Sequence, residues 1–278
     1  MTALTPGHAK KSLGQHFLFD RDLLRRIALA AGPVEGKTVI EVGPGPGGLT
    51  RALLDAKVGR LIAVELDDRF ADALQGWPET AEGRLHVHHG DAREINEIQL
   101  VAKAGGELPA LIVANLPYNV ATPLVVNWIK AGDWRGPLVL MFQKEVAQRI
   151  CATEADHHYG RLAVLTHGAM DARVAISLPP GAFRPPPKVD SAVVVLTPLP
   201  AGKAFADLYA LEIVAAAAFN QRRKMLRSAL KALATSAGTT SDAILTAAEI
   251  DPTRRAETLS QEEFRRLATA WRNSSKLV

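Results

Sequence analysis

The sequence has little cysteine and no long apolar run, and each shortage excludes a class of protein. Cys151 is the single cysteine among 278 residues, so no disulfide can form within the chain. No stretch approaches the roughly 18 to 20 apolar residues of a membrane-spanning helix, and the opening MTALTPGHAKKSLGQHF lacks the apolar core of a secretory signal. We therefore expect a cytoplasmic protein with no membrane partner, and we interpret Cys151 as a small buried hydrophobic residue.

The charge of the chain is unevenly distributed. Hydrophobic residues make up 47% and charged residues 22% of the sequence, which is the composition of an ordinary globular protein. The formal net charge is +4, and residues 201–278 hold 12 Lys and Arg against 8 Asp and Glu, whereas residues 1–200 hold 21 of each. The whole positive excess lies in the last quarter of the chain, where it favours a polyanionic partner.

Apolar strand patterns alternate with helical patterns over much of the chain. Asp20 is placed to cap a helix through RDLLRRIALAAG. The strand segments that follow are KTVIEVG, RLIAVEL, RLHVHHGD, ALIVAN and PLVLMF, with helices predicted in GGLTRALLDA, DDRFADALQG and residues 122–131. This alternation predicts an α/β fold with a Rossmann-like, mostly parallel sheet covered on both faces. Two successive strands, ARVAISL and DSAVVVLTPL, predict an antiparallel finish to the sheet.

A segment with only helical patterns follows the sheet. TPLPAGK, which ends at Lys203, has two prolines and a glycine and is the best linker candidate. Beyond it, FADLYALEIVAAAAFN, RRKMLRSALKAL, SDAILTAAEI and SQEEFRRLATAW have helical spacing, the last with a capping box from Ser260 to Glu263. We therefore divide the chain into an α/β catalytic domain over residues 1–200, with an N-terminal arm at 1–19, and a small all-α domain over residues 201–278.

A glycine-rich loop joins the first strand of the predicted sheet to the helix after it. In EVGPGPGGLT, Gly43, Gly45 and Gly48 match G-x-G-x-x-G, and Gly47 lies between them. Such glycines let the main chain turn sharply and let a ligand lie against bare peptide. Because the loop lies between a strand and a helix, we favour a ligand site over a tight turn alone.

Acidic residues end the next two strands. Glu65 ends the second strand, where its carboxylate can accept both hydroxyls of a ribose, and Asp91 follows the third, where it can accept from an adenine amino group. The carboxyl ends of parallel strands meet at one edge of a sheet, so these groups are expected to face one crevice.

Two cofactors fit this crevice, NAD and S-adenosylmethionine. An anion at Glu41 would repel a pyrophosphate but attract the cationic and amino groups of S-adenosylmethionine. Pro44 and Pro46 lack the amide donors that a phosphate needs. The loop therefore favours a methyltransferase, and a dinucleotide oxidoreductase is the alternative.

The segment NLPYNVATPL follows the fourth strand and contains groups that could bind and orient the amino group of a nucleobase. The side-chain oxygen of Asn115 and the carbonyl of Leu116 form an acceptor pair that can hold both amino hydrogens and draw the nitrogen toward tetrahedral geometry. Pro117 stiffens the turn, and Tyr118 offers a face on which a flipped base can stack. The reaction is then an in-line displacement governed mainly by positioning.

Taken together, these motifs resemble those of the ribosomal RNA adenine N6,N6-dimethyltransferases of the small-subunit type. KKSLGQHFL is similar to that family's opening K-x-x-x-G-Q-N-F-L, FRPPPKVDSAV to its F-x-P-x-P-x-V-D-S, and FNQRRKMLRSAL to its F-x-x-R-R-K-x-L. With the glycine loop and N-L-P-Y, five motifs occur in family order over nearly the whole chain. The resemblance implies dimethylation of two adjacent adenosines in a hairpin near the 3′ end of small-subunit (16S) rRNA, with S-adenosylmethionine as the methyl donor.

The resemblance also implies roles for particular residues. Carried over by motif, cofactor contacts fall on His16, Leu18, Gly43, Glu65, Asp91 and Asn115, and the same crevice includes Glu41, Gly45 and Gly47. The catalytic turn is Asn115 to Tyr118, and Phe183 becomes a second stacking face for the target base. His16 replaces the family's usual asparagine, so a contact made by the main chain of residue 16 would survive, whereas one made by a side-chain amide is put in question.

Because the implied partner is RNA, basic residues outside the crevice are candidate contacts for its phosphates. We expect rRNA contacts at Lys10, Lys11, Arg222, Arg223, Lys224, Arg227 and Lys231. Arg223, Arg227 and Lys231 are spaced to line one face of a helix, with Leu226, Leu230 and Leu233 on the adjacent face.

Other interpretations are weaker. The alternatives for function are an erythromycin-resistance type methylase of large-subunit rRNA and a catalytically silent RNA-binding assembly factor. We expect a monomer acting on small-subunit rRNA or an immature small subunit. We expect no metal site, since no cysteine cluster accompanies His86, His88 and His89.

Overall fold

The computed structural model describes residues 16–116, 118–154 and 156–275. The chain forms two compact units. The first unit consists of Met1–Ala147 and Arg173–Thr197, and the second consists of Gln148–Ala172 and Pro198–Val278.

The regular elements of the described residues are as follows. The strands are β1 (Phe17–Leu18), β2 (Thr38–Val42), β3 (Arg60–Glu65), β4 (Leu85–His89), β5 (Ala110–Asn115), β6 (Arg135–Gln143), β7 (Met170–Leu178), β8 (Phe183–Arg184) and β9 (Ser191–Pro198). The helices are α1 (Arg21–Ala28), α2 (Gly48–Asp55), α3 (Asp68–Gln75), α4 (Pro78–Ala81), α5 (Glu97–Lys103), α6 (Tyr118–Lys130), α7 (Lys144–Cys151), α8 (Arg161–Ala169), α9 (Leu208–Asn220), α10 (Leu226–Ala229), α11 (Lys231–Ser236), α12 (Ser241–Ala247) and α13 (Gln261–Ser275). No helix among the described residues is long and apolar enough to cross a membrane.

A seven-stranded sheet in the order β4-β3-β2-β5-β6-β9-β7 organises the first unit. The strands β4, β3, β2, β5 and β6 pair in parallel, while β9 is antiparallel to β6. All five residues of β2 are buried, as expected for a parallel strand covered on both faces. The prediction of a Rossmann-like, mostly parallel sheet with an antiparallel last part is confirmed. A separate pair, β1 with β8, lies outside this sheet.

The N-terminal caps of α1 and α13 form as the sequence predicts. The carboxylate of Asp20 accepts from the amide of Leu23 at 3.0 Å and caps α1, as predicted. At α13, the amide of Glu263 donates to Oγ of Ser260 at 3.2 Å, and the amide of Ser260 donates to the Glu263 carboxylate at 2.8 Å. The predicted capping box is therefore confirmed.

The helices of the second unit surround an apolar core. Tyr159, Leu211, Leu226 and Phe264 are among its buried side chains. Phe219 stacks on Phe264 with ring centroids 5.6 Å apart. Leu226 and Leu230 are buried in this core and Leu233 packs against it, as the predicted apolar face required.

The continuous helix predicted over residues 222–233 is wrong. Helix α9 ends at Asn220, residues 221–225 form a turn, and α10 and α11 are two short helices. Met225 has an extended main chain, and the amide of Leu226 donates to the carbonyl of Arg254 at 2.8 Å. Burial of Leu226 and this hydrogen bond to a distant segment override the local helical spacing. The predicted row of Arg223, Arg227 and Lys231 along one helix face therefore does not form.

Residues 148–172 differ from the predicted division at residue 200. That division placed them in the α/β part, whereas they form one compact unit with the C-terminal helices. The reason is burial, since Tyr159, Ala163 and Val164 belong to the same apolar core as Leu211 and Val214 of α9. The second segment of this unit begins at Pro198, which lies within the predicted linker TPLPAGK.

Candidate active site

The carboxyl ends of four neighbouring strands bring the candidate cofactor residues together. The loop after β2, Glu65 at the end of β3, Asp91 after β4 and Asn115 at the end of β5 follow strands that are consecutive in the sheet. The amide of Gly43 donates to the carbonyl of Val64 at 2.9 Å, which joins the first two of these ends. The sheet therefore forms the crevice edge that the strand pattern predicted.

The glycine loop requires residues without side chains. Gly43, Gly45 and Gly47 have φ angles of +72°, +55° and +85°, the left-handed region that other residues rarely adopt. A Cβ on Gly45 would lie 2.8 Å from the ring of Phe17, and a Cβ on Gly43 would lie 3.4 Å from the carbonyl oxygen of Asn115. The glycine loop is thus closely packed between β1 and the end of β5, with Gly43 half-buried and Gly45 and Gly47 buried.

Glu65 is a buried carboxylate that connects two loops. Its Oε2 accepts from the amide of Gly45 at 2.9 Å, and its Oε1 accepts from the amide of Asp67 at 2.8 Å. Burial raises the pKa of Glu65, while these amides act in the opposite direction. Its orientation is therefore fixed before any ligand arrives, and each oxygen keeps lone pairs that a hydroxyl could use.

Glu41 was predicted from the sequence to be an anion, but its environment in the structure opposes a charge. Its side chain lies in β2 and is only 1% exposed. Burial raises its pKa to about 8, which nearby Thr50 partly offsets. Oε2 of Glu41 and Oγ1 of Thr50 are buried without a hydrogen-bond partner of ordinary geometry. Burial therefore favours the protonated form of Glu41, and repulsion of a pyrophosphate by its charge is not supported.

Asp91 is held by a neighbour that the sequence argument missed. Nε of Arg93 donates to Oδ1 of Asp91 at 3.0 Å, and the Arg93 amide donates to the same oxygen at 2.9 Å. These hydrogen bonds lower the pKa of Asp91. The carboxylate is therefore ionised at neutral pH and can accept from an adenine amine, but it shares its oxygens with Arg93. The available signal was an arginine two residues after the aspartate.

Asn115 is oriented by the main chain of the N-terminal segment. Its Nδ2 donates to the carbonyl of His16 at 3.2 Å. Leu116, which follows, is only 6% exposed. Pro117 and the side chain of Tyr118 lie outside the described residues, so the predicted stiffening and stacking roles stay predictions.

The residues His16 to Leu18 lie against the segment that contains Phe183. In the antiparallel pair β1–β8, Leu18 is opposite Phe183. Nδ1 of His16 bonds to the carbonyl of Pro185 at 2.8 Å, and the His16 ring meets the Phe183 ring edge-on at 6.5 Å. Phe183 is only 2% exposed, so its proposed stacking face is covered in this structure.

An aliphatic side chain beside Glu65 was also missed. Leu66 is 51% exposed and directly follows Glu65 in the loop after β3. Because Leu66 is exposed next to Glu65, whose carboxylate is the proposed contact for the ribose, Leu66 is a candidate contact for an adenine ring. The signal was its position, one residue beyond the acidic strand end.

The predicted RNA-binding residues of the second unit are exposed. Arg222 donates from Nε to the carboxylate of Glu257 at 3.0 Å and from Nη2 to the carbonyl of His157 at 2.6 Å. Arg223, Lys224, Arg227 and Lys231 are all exposed. Lys10 and Lys11 lie outside the described residues.

The remaining titratable candidates have local partners. His86 bonds to the carbonyl of Gly83 at 3.1 Å, and His89 lies 3.0 Å from Asp68. Burial raises the pKa of Cys151 to about 11, which is the behaviour of a packed thiol rather than a nucleophile.

Comparison with known proteins finds a family model and relatives that cover most of the chain. The sequence model of the family described as "Ribosomal RNA adenine dimethylase" matches residues 7–271. A "Ribosomal RNA small subunit methyltransferase A" of Maricaulis maris is 48% identical over 95% of this chain and 91% of its own length. A protein of the same name from Afipia carboxidovorans is 53% identical over 92% of this chain and 89% of its own length.

Solved structures with lower identity share the fold. A dimethyladenosine transferase from Plasmodium falciparum superposes with a TM-score of 0.76 at 24% identity, covering 93% of this chain and 98% of its own. A "23S rRNA methyltransferase ErmE" superposes with a TM-score of 0.65 at 23% identity, covering 92% of this chain and 99% of its own. At these identities the likeness concerns the fold alone.

Proposed function

The chain belongs to the ribosomal RNA adenine dimethylase family and is an S-adenosylmethionine-dependent rRNA methyltransferase, and from this premise we propose its substrate and its catalytic residues. The proposed substrate is a hairpin near the 3′ end of small-subunit rRNA, in which N6 of each of two adjacent adenosines receives two methyl groups. The small-subunit methyltransferases that are 48% and 53% identical to this chain support this choice. We further propose that the protein acts as a monomer, in the cytoplasm, on an immature small subunit.

The crevice residues fit the proposed cofactor. Gly43 and Gly48 of the glycine loop are half-buried and carry no side chain that would keep a ligand away, and Pro44 and Pro46 deprive the loop of two of the amide donors that a pyrophosphate would use. Glu65 is preorientated for the ribose hydroxyls, and Asp91 is an ionised acceptor for the adenine amine. Main-chain groups of His16 and Leu18 and the residues Glu41 and Gly47 complete the proposed site. When bound, S-adenosylmethionine supplies an electrophilic methyl group on a positively charged sulfur.

The orientation of Asn115 is the observation that carries the catalytic proposal. Its Nδ2 is turned toward the carbonyl of His16, so Oδ1 is the side-chain atom that can accept from a target amine. The carbonyl of Leu116 is the second acceptor of the proposed pair. Two acceptors bind both N6 hydrogens and direct the nitrogen lone pair toward the cofactor side of the crevice.

The remaining steps need positioning rather than a strong base. An adenine amine is a weak nucleophile because its lone pair is delocalised, and the acceptor pair reduces that delocalisation. Once alkylated, the nitrogen is acidic and loses its proton without a dedicated strong base. Tyr118 and Phe183 are proposed to stack on the base, which for Phe183 requires its ring to become accessible when the adenine enters.

The exposed basic residues of the second unit are proposed to bind rRNA phosphates. Arg223, Lys224, Arg227 and Lys231 present positive charge to solvent, while Arg222 is fixed by Glu257. Such contacts position a substrate without reading its sequence.

Incorporation of a labelled methyl group distinguishes the proposed substrate from its alternatives. The protein is incubated with labelled S-adenosylmethionine and either undermethylated small subunits or large subunits. We expect labelling of the small subunits and its loss in Asn115→Ala. Asn127→Ala removes an exposed amide of α6 and serves as the matched control, with labelling unchanged. Labelling of large subunits alone, or RNA binding without labelling, would refute the proposal.

A further inference from the structure

His16 contacts three residues, Asn115, Pro185 and Phe183. Its carbonyl oxygen accepts from Nδ2 of Asn115 at 3.2 Å. Its imidazole Nδ1 lies 2.8 Å from the carbonyl oxygen of Pro185. Its ring meets the ring of Phe183 edge-on, with centroids 6.5 Å apart and planes at 78°. One residue therefore connects the proposed catalytic amide to the segment Phe183–Pro185.

The contact with Asn115 decides which way that amide faces. A main-chain carbonyl can only accept a hydrogen bond, so the nitrogen and not the oxygen of the Asn115 amide must face His16. Oδ1 lies in the same amide plane on the other side of the Cβ–Cγ bond, and it is then fixed there. Rotating the amide by half a turn would present a donor to a target amine that is itself a donor, and the acceptor pair would be lost.

The segment that carries the His16 carbonyl pairs with β8. The ladder between β1 and β8 has two residue pairs, Phe17 with Arg184 and Leu18 with Phe183. His16 directly precedes this short ladder, and its imidazole extends the attachment by one residue, to Pro185. The Pro185 carbonyl only accepts, so Nδ1 of His16 carries the proton in this bond.

We propose that His16 is a positioning residue, whose imidazole fastens residues 16–18 to the segment Phe183–Pro185 so that its own carbonyl holds the Asn115 amide in the orientation that accepts the adenine amine. This inference rests on the proposed methyl transfer and adds a requirement to it. The side chain of His16 acts on the reaction through Asn115.

The covalent structure of the side chains gives the proposal a specific consequence. Nδ1 of histidine and Nδ2 of asparagine are both bonded to Cγ, so they lie at the same number of bonds from the main chain. Asparagine at position 16 can therefore donate to the Pro185 carbonyl from nearly the same place. Glutamine carries its amide one carbon farther out and cannot do so without moving the main chain.

The test compares His16→Ala, His16→Asn and His16→Gln in the full chain. Methyl transfer to undermethylated small subunits is measured at varied cofactor and subunit concentrations, and the thermal midpoint of each variant is recorded. We expect His16→Ala and His16→Gln to lower kcat by about 10- to 100-fold, the usual effect of a misplaced catalytic group. The KM for S-adenosylmethionine should change much less, and His16→Asn should recover most of kcat.

Each result either supports or overturns the positioning role of His16. If His16→Ala fails to fold, the comparison of asparagine with glutamine carries the test. Equal kcat for the asparagine and glutamine variants would overturn the inference, as would full kcat in His16→Ala. If the unsubstituted protein does not methylate small subunits, the proposed function itself fails, and the two failures are thereby distinguished.

Discussion

Replacing Glu41 with glutamine is expected to remove much of the pH dependence of the first unit's stability. Glu41 is 1% exposed within β2, and burial raises its pKa from the ordinary 4.5 to about 8. Between these two pH values the folded chain keeps a proton on Glu41 that the unfolded chain releases. The free energy of unfolding therefore falls as pH rises through this window, because deprotonation favours the unfolded chain.

The structure sets the size of this effect. Each pH unit within the window changes the free energy of unfolding by about 1.4 kcal/mol per proton. From pH 4.5 to about 8 the total is on the order of 5 kcal/mol. Glutamine has the same shape and does not titrate, so the difference between the two proteins isolates this contribution from all other groups. The buried amide itself costs about 1 to 3 kcal/mol, which is independent of pH.

Urea unfolding at pH 5.5, 6.5 and 7.5 measures this difference. Tryptophan fluorescence reports mainly on the first unit, because Trp77, Trp128 and Trp134 belong to it. The stability of the unsubstituted protein relative to Glu41→Gln should decline by about 1.4 kcal/mol per pH unit. Glu107→Gln, which replaces an exposed glutamate of the same unit, is the control and should follow the unsubstituted protein. Parallel pH curves for the unsubstituted protein and Glu41→Gln would refute the reasoning.

Three further results are expected. Gly45→Ala should weaken cofactor binding by at least about tenfold, since a Cβ there meets an aromatic ring at 2.8 Å. Gly36→Ala, at a glycine with a φ of +73° and open space around it, is the control and should leave binding unchanged. Equal cofactor affinities of the two variants by calorimetry would contradict this. Asp91→Ala should lose roughly 1.5 to 3 kcal/mol of cofactor binding, the contribution of a hydrogen bond to a charged group, and unchanged calorimetric affinity would remove its assigned contact. Changing both Arg223 and Arg227 to alanine should flatten the salt dependence of small-subunit binding by about two units of slope without altering cofactor affinity; an unchanged slope would leave these charges with no part in RNA binding.

The parts of the fold that could be predicted depend on local chemistry. The caps at Asp20 and at Ser260 with Glu263 follow from contacts three residues apart, and both were predicted. The convergence of Glu65 and Asn115 could be predicted because parallel apolar strands place their carboxyl ends at one edge.

The parts that could not be predicted depend on distant segments. The turn at residues 221–225 is determined by burial of Leu226 and its hydrogen bond to Arg254, and neither leaves a periodic signal. Strands β1 and β8 have two residues each, which is too short for any alternating pattern. The raised pKa of Glu41 follows from its complete burial, which cannot be read from a carboxylate that precedes a glycine loop in the sequence.

Mapping the modified nucleotides is a direct test of the proposed dimethylation and of the role of Asn115. Undermethylated small subunits are incubated with the protein and S-adenosylmethionine, and nuclease fragments of the rRNA are analysed by mass spectrometry, with Asn115→Ala in parallel. We expect two methyl groups on each of two adjacent adenosines near the 3′ end, and none with Asn115→Ala. Methylation at another site, or full dimethylation by Asn115→Ala, would contradict it.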